Sequence, residues 1–205
     1  MTGRVAAMPT ARRPQQRRSV ATRERLLEAA YESLLEGGYG AATVGDVQQR
    51  AGVARGTLLH HFPTRDLLMA GVVEDVVERR LKLSAAADDA SAPAGWNDVV
   101  DLVWTELRSP AFAVLLELWV AARTDDDLRE SLVPMQERIY DTVHRSVIRL
   151  VGPSHPRAPI LVQFTINLLT GAHLAGILRS RSGTSSVVEA WKHALRELAA
   201  PPRRS

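Results

Sequence analysis

His60 and His61 stand side by side, followed by Phe62-Pro63 and then Thr64-Arg65-Asp66. Paired histidines suggest a metal site, but neighbours on a helix point about 100° apart, so this pair is badly placed to share one ion. The other dense titratable group is Asp125-Asp126-Asp127. Three carboxylates opening a helix suit its positive end, and no calcium-loop spacing follows them. The chain has no His-Glu-x-x-His, no phosphate-cradling glycine loop and no Gly-x-Ser-x-Gly. It has no cysteine, which excludes disulfides, thiolate ligands and a cysteine nucleophile. A Ser/His/Asp arrangement assembled only in space stays open. The expectation is a protein that is no enzyme, with no metal and no cofactor.

Charge offers a different chemistry. The first 83 residues hold 13 basic against 9 acidic side chains, and the remaining residues hold 13 against 14. The excess is densest at Arg4, Arg12, Arg13, Arg17 and Arg18, with no acid before Glu24. Such a front end points to a polyanion, either nucleic acid or an anionic membrane. Residues 1–18 lack periodicity and are expected to form a disordered basic arm. The arm has no apolar run of the kind a secretory signal needs, no stretch of 18 uncharged apolar residues is read anywhere, and no membrane is expected as a partner. A cytoplasmic location is expected.

The elements that position these residues read as helices throughout. From Thr22, Leu26, Leu27, Ala30, Tyr31, Leu34 and Leu35 recur at helical spacing until Gly37-Gly38 stops the helix. Thr43 is an N-cap with Asp46 in the capping-box position, and the helix it opens ends at Ala51-Gly52. Another short helix begins near Arg55 and ends by Phe62, because Pro63 follows. Thr64 caps a long helix with Leu67, Leu68, Val72, Val73, Val76, Val77 and Leu81 on its apolar side. Ala85 to Gly95 reads as a linker. Further helices are expected over about 96–108, from Pro110, after Asp125-Asp126-Asp127, over about 158–179 and over about 185–199. No alternating strand pattern occurs. The fold class is all-α, with a group of short N-terminal helices, a long fourth helix and a longer helical region after the linker.

Two short helices joined by Gly52-Val53-Ala54 make a helix-turn-helix pattern. Packing through Val47, Ala51, Val53 and Leu58 leaves Arg55, Gly56, Thr57, Leu59, His60 and His61 on the outward side of the second one. A helix presented in this way fits the major groove, which is about 12 Å wide. The stretch TVGDVQQRAGVARGTLLHHFPTRDLL, within a match from about Thr22 to Ala70, resembles the DNA-binding domain of the TetR family of bacterial transcription regulators. The resemblance lies in the order of its pieces: a leading helix ending Gly-Gly-Tyr, the Thr-capped second helix, Ala-Gly-Val at the turn, Gly-Thr-Leu, then His-Phe-Pro before Thr-Arg-Asp-Leu-Leu.

That resemblance implies roles. Thr43 and Val44 would lie against a phosphate, and Gly45 falls where the family often carries a reaching side chain. Arg55, Gly56, Leu59 and His60 would face base edges. Thr57 and His61 would hold the DNA backbone, and Arg65 would reach a phosphate. Three departures stand out. Leu59 replaces a common Tyr and offers contact to a thymine methyl instead of a donor. Gly45 costs about 1 kcal/mol of helix propensity relative to Ala. Ala54 replaces a capping side chain, a loss of about 1 kcal/mol. With few long side chains on the reading face, phosphate contacts and the arginine arm are expected to supply much of the affinity.

The resemblance also implies an architecture: a basic arm at 1–18, a DNA-binding domain at 19–66, a connecting helix at 67–86, and an effector-binding and dimerisation domain at 94–200. A short recognition helix selects too little sequence alone, so a homodimer on a palindromic double-stranded operator is expected. Its interface is expected at Gly171, Leu174, Ala175, Leu178, Val188, Trp191 and Leu195, forming a four-helix bundle. A small-molecule effector is expected among Trp104, Leu115, Trp119, Tyr140, Phe164 and Leu168, oriented by Arg123, His144 and Asn167. The reading is a repressor released by that effector. The alternatives are a ligand-independent regulator or activator, and a helical lipid-binding protein or enzyme.

Overall fold

The computed structural model describes residues 12–87, 95–151, 157–177 and 182–200. All regular elements in it are helices: α1 (Arg12–Ala41), α2 (Val44–Ala51), α3 (Arg55–His61), α4 (Arg65–Ala87), α5 (Trp96–Leu107), α6 (Pro110–Ala121), α7 (Asp126–Val151), α8 (Ala158–Ile177) and α9 (Ser182–Ala199). The chain divides into two compact units within α4, after Val72.

In the first unit, residues 12–18 depart from the disorder expected of them and continue α1. Arg and Gln are good helix formers, and Pro14 falls in the first described turn, where its missing N–H costs little. The glycine stop occurs at Gly38, whose φ of 70° and ψ of −176° interrupt the helical backbone. Gly52 closes α2 with φ 61° and ψ 42°, and Val53 N–H donates to Gln48 O at 3.3 Å. Leu26, Leu27, Leu34, Val47, Leu58, Leu68, Met69 and Val72 form the buried core. Leu35 and Leu67, assigned to inner faces from their spacing, are both exposed, because each lies one residue beyond the strip its helix buries. A Cβ on Gly71 would come within 2.8 Å of Phe62 Cε1 and 3.1 Å of Leu27 Cδ2, so glycine lets α4 seat closely on that ring.

The second unit is built from α5 to α9 and the end of α4. Val100, Val103, Leu107, Phe112, Leu161, Leu169, Val188, Leu195 and Ala199 form its main core. The helix starts use local caps. Ser109 Oγ accepts from Phe112 N–H at 3.2 Å, with Pro110 in the first turn. Asp125 Oδ1 accepts from Leu128 N–H at 3.0 Å, which fits the helix-opening role expected of the Asp run. Lys192 Nζ joins α9 to α5 through Asp101 at 2.7 Å, and it also pairs with Glu189 at 3.1 Å. Within this unit α4 is held by Glu74–Arg138 and Arg80–Glu106, both at 3.1 Å.

One expectation is corrected here. The 20 residues of α8 are long and apolar enough to cross a membrane by length and composition, so such a stretch does exist. One face of it packs into the core of its unit. Leu161, Val162, Thr165 and Leu169 are buried, and Thr165 Oγ1 accepts from Trp191 Nε1 of α9 at 3.1 Å.

Candidate nucleic-acid interface

The local sequence fixes how α2 and α3 are held. Thr43 is extended, at φ −87° and ψ 159°, and its Oγ1 accepts from Asp46 N–H at 3.1 Å. Only half of the expected capping box forms. The Asp46 carboxylate accepts from Ser33 Oγ of α1 and from Arg50 Nε at 3.0 Å, in place of the Thr43 N–H. Arg50 also pairs with Glu36 at 2.9 Å, and Arg25 Nη2 donates to Ala51 O at 2.9 Å. Three polar contacts therefore tie α2 and its turn to α1.

α3 has one buried anchor, Leu58, which is 0% exposed. Around it Arg55, Gly56, Thr57, Leu59 and His60 are exposed and His61 is half-buried. No side chain caps this helix at Ala54, in keeping with the missing Ser or its equivalent. A Cβ on Gly56 would meet no heavy atom within 4 Å, so internal packing does not demand glycine there. Gly45 is similar, with only Thr43 Oγ1 at 3.8 Å. Thr43 and Gly45 are exposed and Val44 half-buried at the start of α2. Burial pushes the His61 imidazole below its ordinary pKa, and the charges of His60 and Arg23 act in the same direction. Near neutral pH it is therefore a neutral ring that can exchange hydrogen bonds, not a fixed cation.

Arg65 differs from its expected role. Its Nε donates to Ala42 O at 3.0 Å, its Nη2 donates to Tyr39 O, and its guanidinium carbon lies 3.8 Å from the Tyr39 ring centre. The end of α1 presents carbonyls and a negative dipole, which draw a cation more firmly than open solvent does. Arg65 is thus a brace within the domain. Two further basic residues of α1, Arg23 and Arg25, contact this part of the domain although the sequence did not single them out. Arg23 lies over the Phe62 ring, 5.3 Å from its centre, and Arg25 reaches Ala51, so this part of α1 runs beside the turn and the end of α3. Arg18 precedes Arg23 by five residues, about 8 Å of helix rise, and both Arg17 and Arg18 are exposed.

The residues expected around an effector do not converge. Trp104 is half-buried and edge-on to His173 at 6.2 Å, Phe112 meets both His173 at 5.7 Å and Trp119 at 6.0 Å, and Leu115 is buried. Phe164, Asn167 and Leu168 instead lie on an outer face of α8, because the inner strip is taken by Leu161, Thr165 and Leu169. Tyr140 is also exposed, and the His144 side chain lies outside the described residues. Trp119 and Arg123 do share a recess of about 320 Å³ at the α6–α7 junction, together with Arg129, Leu132, Val133 and Gln136.

The expected dimer surface is half revised. Gly171, Leu174 and Ala175 are outward or nearly so, and Leu178 lies outside the described residues. Val188 and Leu195 are buried and Trp191 is bonded to Thr165, so this α9 stripe belongs to the chain's own core. The outward apolar residues of α9 are Val187, Ala190 and Leu198. Periodicity detects a stripe but not which of two neighbouring stripes faces inward.

Residues 26–72 match the family model for bacterial regulatory proteins of the tetR family. An HTH-type transcriptional regulator of Mycobacterium tuberculosis, Rv2912c, is 33% identical over 176 residues, covering 81% of this chain and 88% of that protein. The chain belongs to the TetR family. It is a transcription regulator with a helix-turn-helix DNA-binding domain, not an enzyme. Two solved structures extend the likeness over both units of this TetR-family chain. A transcriptional regulator from Rhodococcus sp. Rha1 matches with 25% identity and a TM-score of 0.62, covering 86% of this chain and 93% of that one. The multidrug binding protein EbrR, complexed with ethidium, matches with 21% identity and a TM-score of 0.66, covering 88% and 99%.

Proposed function

We propose that this TetR-family regulator is a dimeric repressor acting in the cytoplasm on a palindromic operator, and that a small effector releases it. The observation that carries the reading is α3. One buried leucine seats the helix, while Arg55, Gly56, Thr57, Leu59 and His60 are exposed on its other side. Thr43, Val44 and Gly45, at the start of α2, are the residues for the adjacent phosphate. Thr57 and His61 complete the backbone contacts, with Arg17 and Arg18 on α1 adding charge. The working division is a DNA-binding domain at 19–66, a connecting helix at 67–86 and an effector and dimer domain at 94–200.

Two copies joined through α8 and α9 would read two half-sites one or two DNA turns apart. The apolar α8 face of Ile160, Phe164, Leu168, Gly171 and Leu174, with Val187 and Leu198 of α9, supports that pairing. An effector acts by binding one conformation more tightly. Moving a population from 1:99 to 99:1 takes about 5.5 kcal/mol of differential affinity. EbrR, with ethidium bound, is the precedent for a small-molecule site on this architecture. Arg138–Glu74 gives α7 a direct hold on α4.

The test is fluorescence anisotropy against DNA from upstream of the chain's own gene, with a salt titration. Arg55→Ala is expected to weaken specific binding about tenfold to a hundredfold and leave thermal stability unchanged. Equal binding by both proteins would remove α3 from the reading role.

A further inference from the structure

We propose that the recess at the α6–α7 junction takes a single-ring aromatic monocarboxylate, with Arg123 holding its carboxylate. The proposal rests on the ligand-responsive reading above and adds the chemical class of ligand. The recess measures about 320 Å³, near the lower end of small-molecule sites, which run from about 300 to 1,000 Å³. It suits one ring better than a fused polycyclic dye.

Its lining decides the sign of charge. Two guanidiniums, Arg123 and Arg129, face the space, and no lining residue is a carboxylate. Arg129 is already paired, with Asp126 at 2.8 Å. Arg123 is exposed, and its side chain has no partner among the described residues. An organic cation would meet like charge there, and an uncharged ligand would leave the Arg123 donors unused. A carboxylate accepts two parallel N–H bonds from one guanidinium, the strongest match available to it. The rest of the lining fits an apolar body. Trp119 is 39% exposed, and the edge-on Phe112 ring holds its indole in place. Leu132 forms a buried wall, and Val133, 51% exposed, lies open beside it. The Gln136 amide adds a neutral donor for the second carboxylate oxygen. Gln136 and Arg138 lie two residues apart on α7, so a ligand here bears on the helix that holds Glu74 of α4.

The experiment uses the full chain, with benzoate and phenylacetate as probes and choline and ethidium as cationic controls. Calorimetry reads affinity, and an operator complex present in parallel reads release. The expected result is binding of the acids but not the cations. Arg123→Gln should raise Kd at least tenfold, Arg123→Lys should restore part of the loss, and Arg108→Gln should leave it unchanged. Both sites are exposed, and circular dichroism checks that each variant folds. Failure of both acids to bind at millimolar concentration, equal binding to Arg123→Gln, or tighter binding of the cations overturns the proposal. Arg123-dependent binding of an acid that leaves the operator complex intact upholds this site and refutes the ligand-responsive reading. Release by a cation alone does the reverse.

Discussion

The two units use their side chains in different ways. In the first, polar groups act as internal braces: Arg25, Arg50, Arg65 and Ser33 all reach across between elements, while the outer face of α3 stays exposed. In the second, braces such as Lys192–Asp101 and Arg80–Glu106 are also present, but Phe164, Leu168 and Leu174 lie open on one helix as an apolar face. A reading head must keep its shape when bound and free, and directional bonds to backbone carbonyls give it that rigidity. A surface that meets a second copy, or opens around an effector, needs apolar area that is reversibly covered.

The contrast can be broken at several points. The largest effect is expected from Phe164→Arg. If α8 is the contact between copies, a charge in its middle should give a monomer by sedimentation and reduce operator affinity at least a hundredfold, with helix content retained. A dimer that survives would turn that face into something else. Next is Arg65→Ala, which strands Tyr39 O and Ala42 O. Charged hydrogen bonds of this kind contribute about 1.5–3 kcal/mol, so a loss of about 2 kcal/mol should appear in urea unfolding of the first unit. An unchanged midpoint would return Arg65 to the role of a free phosphate-seeking arm. Gly56→Ala should behave differently. Open space around its Cβ predicts unchanged or slightly higher stability, and a severalfold loss of operator binding if backbone and DNA approach closely there.

The smallest effect concerns pH. The folded pKa of His61 lies below its ordinary 6.5, so the unfolded chain takes up this proton first as pH falls. Stability from this residue is therefore unaffected well above 6.5 and declines below it. His61→Gln should flatten the decline in thermal midpoint between pH 7 and 5. An identical slope would show that the imidazole titrates freely.

Much of this was legible in the chain because caps and glycines act locally. Thr43 caps the helix that follows it, Pro110 opens α6, and Gly38 and Gly52 break the backbone within a residue of where the sequence places the breaks. Helical periodicity also revealed each helix among the described residues, although α1 begins about ten residues before the Thr22 expected from spacing. What it could not resolve was orientation at the scale of one residue. Leu67 against Leu68, Val187 against Val188 and Phe164 against Thr165 differ by a 100° turn, and only the neighbouring helices decide which one is covered. Arg65 was misassigned for a related reason. Its partners are carbonyls 23 and 26 residues away, and carbonyls carry no signature in a sequence. The effector candidates were scattered because large side chains mark a core and a pocket alike.

Lys192 has a practical consequence. The chain contains only two lysines, Lys82 and Lys192, and the second is held between Asp101 and Glu189, with the Asp101 bond foremost in keeping its ammonium protonated. Reagents that capture neutral amines, formaldehyde and succinimidyl esters among them, will find few handles here and none on the outer face of α3. Mapping of genomic sites should therefore use a cross-linker that does not depend on lysine.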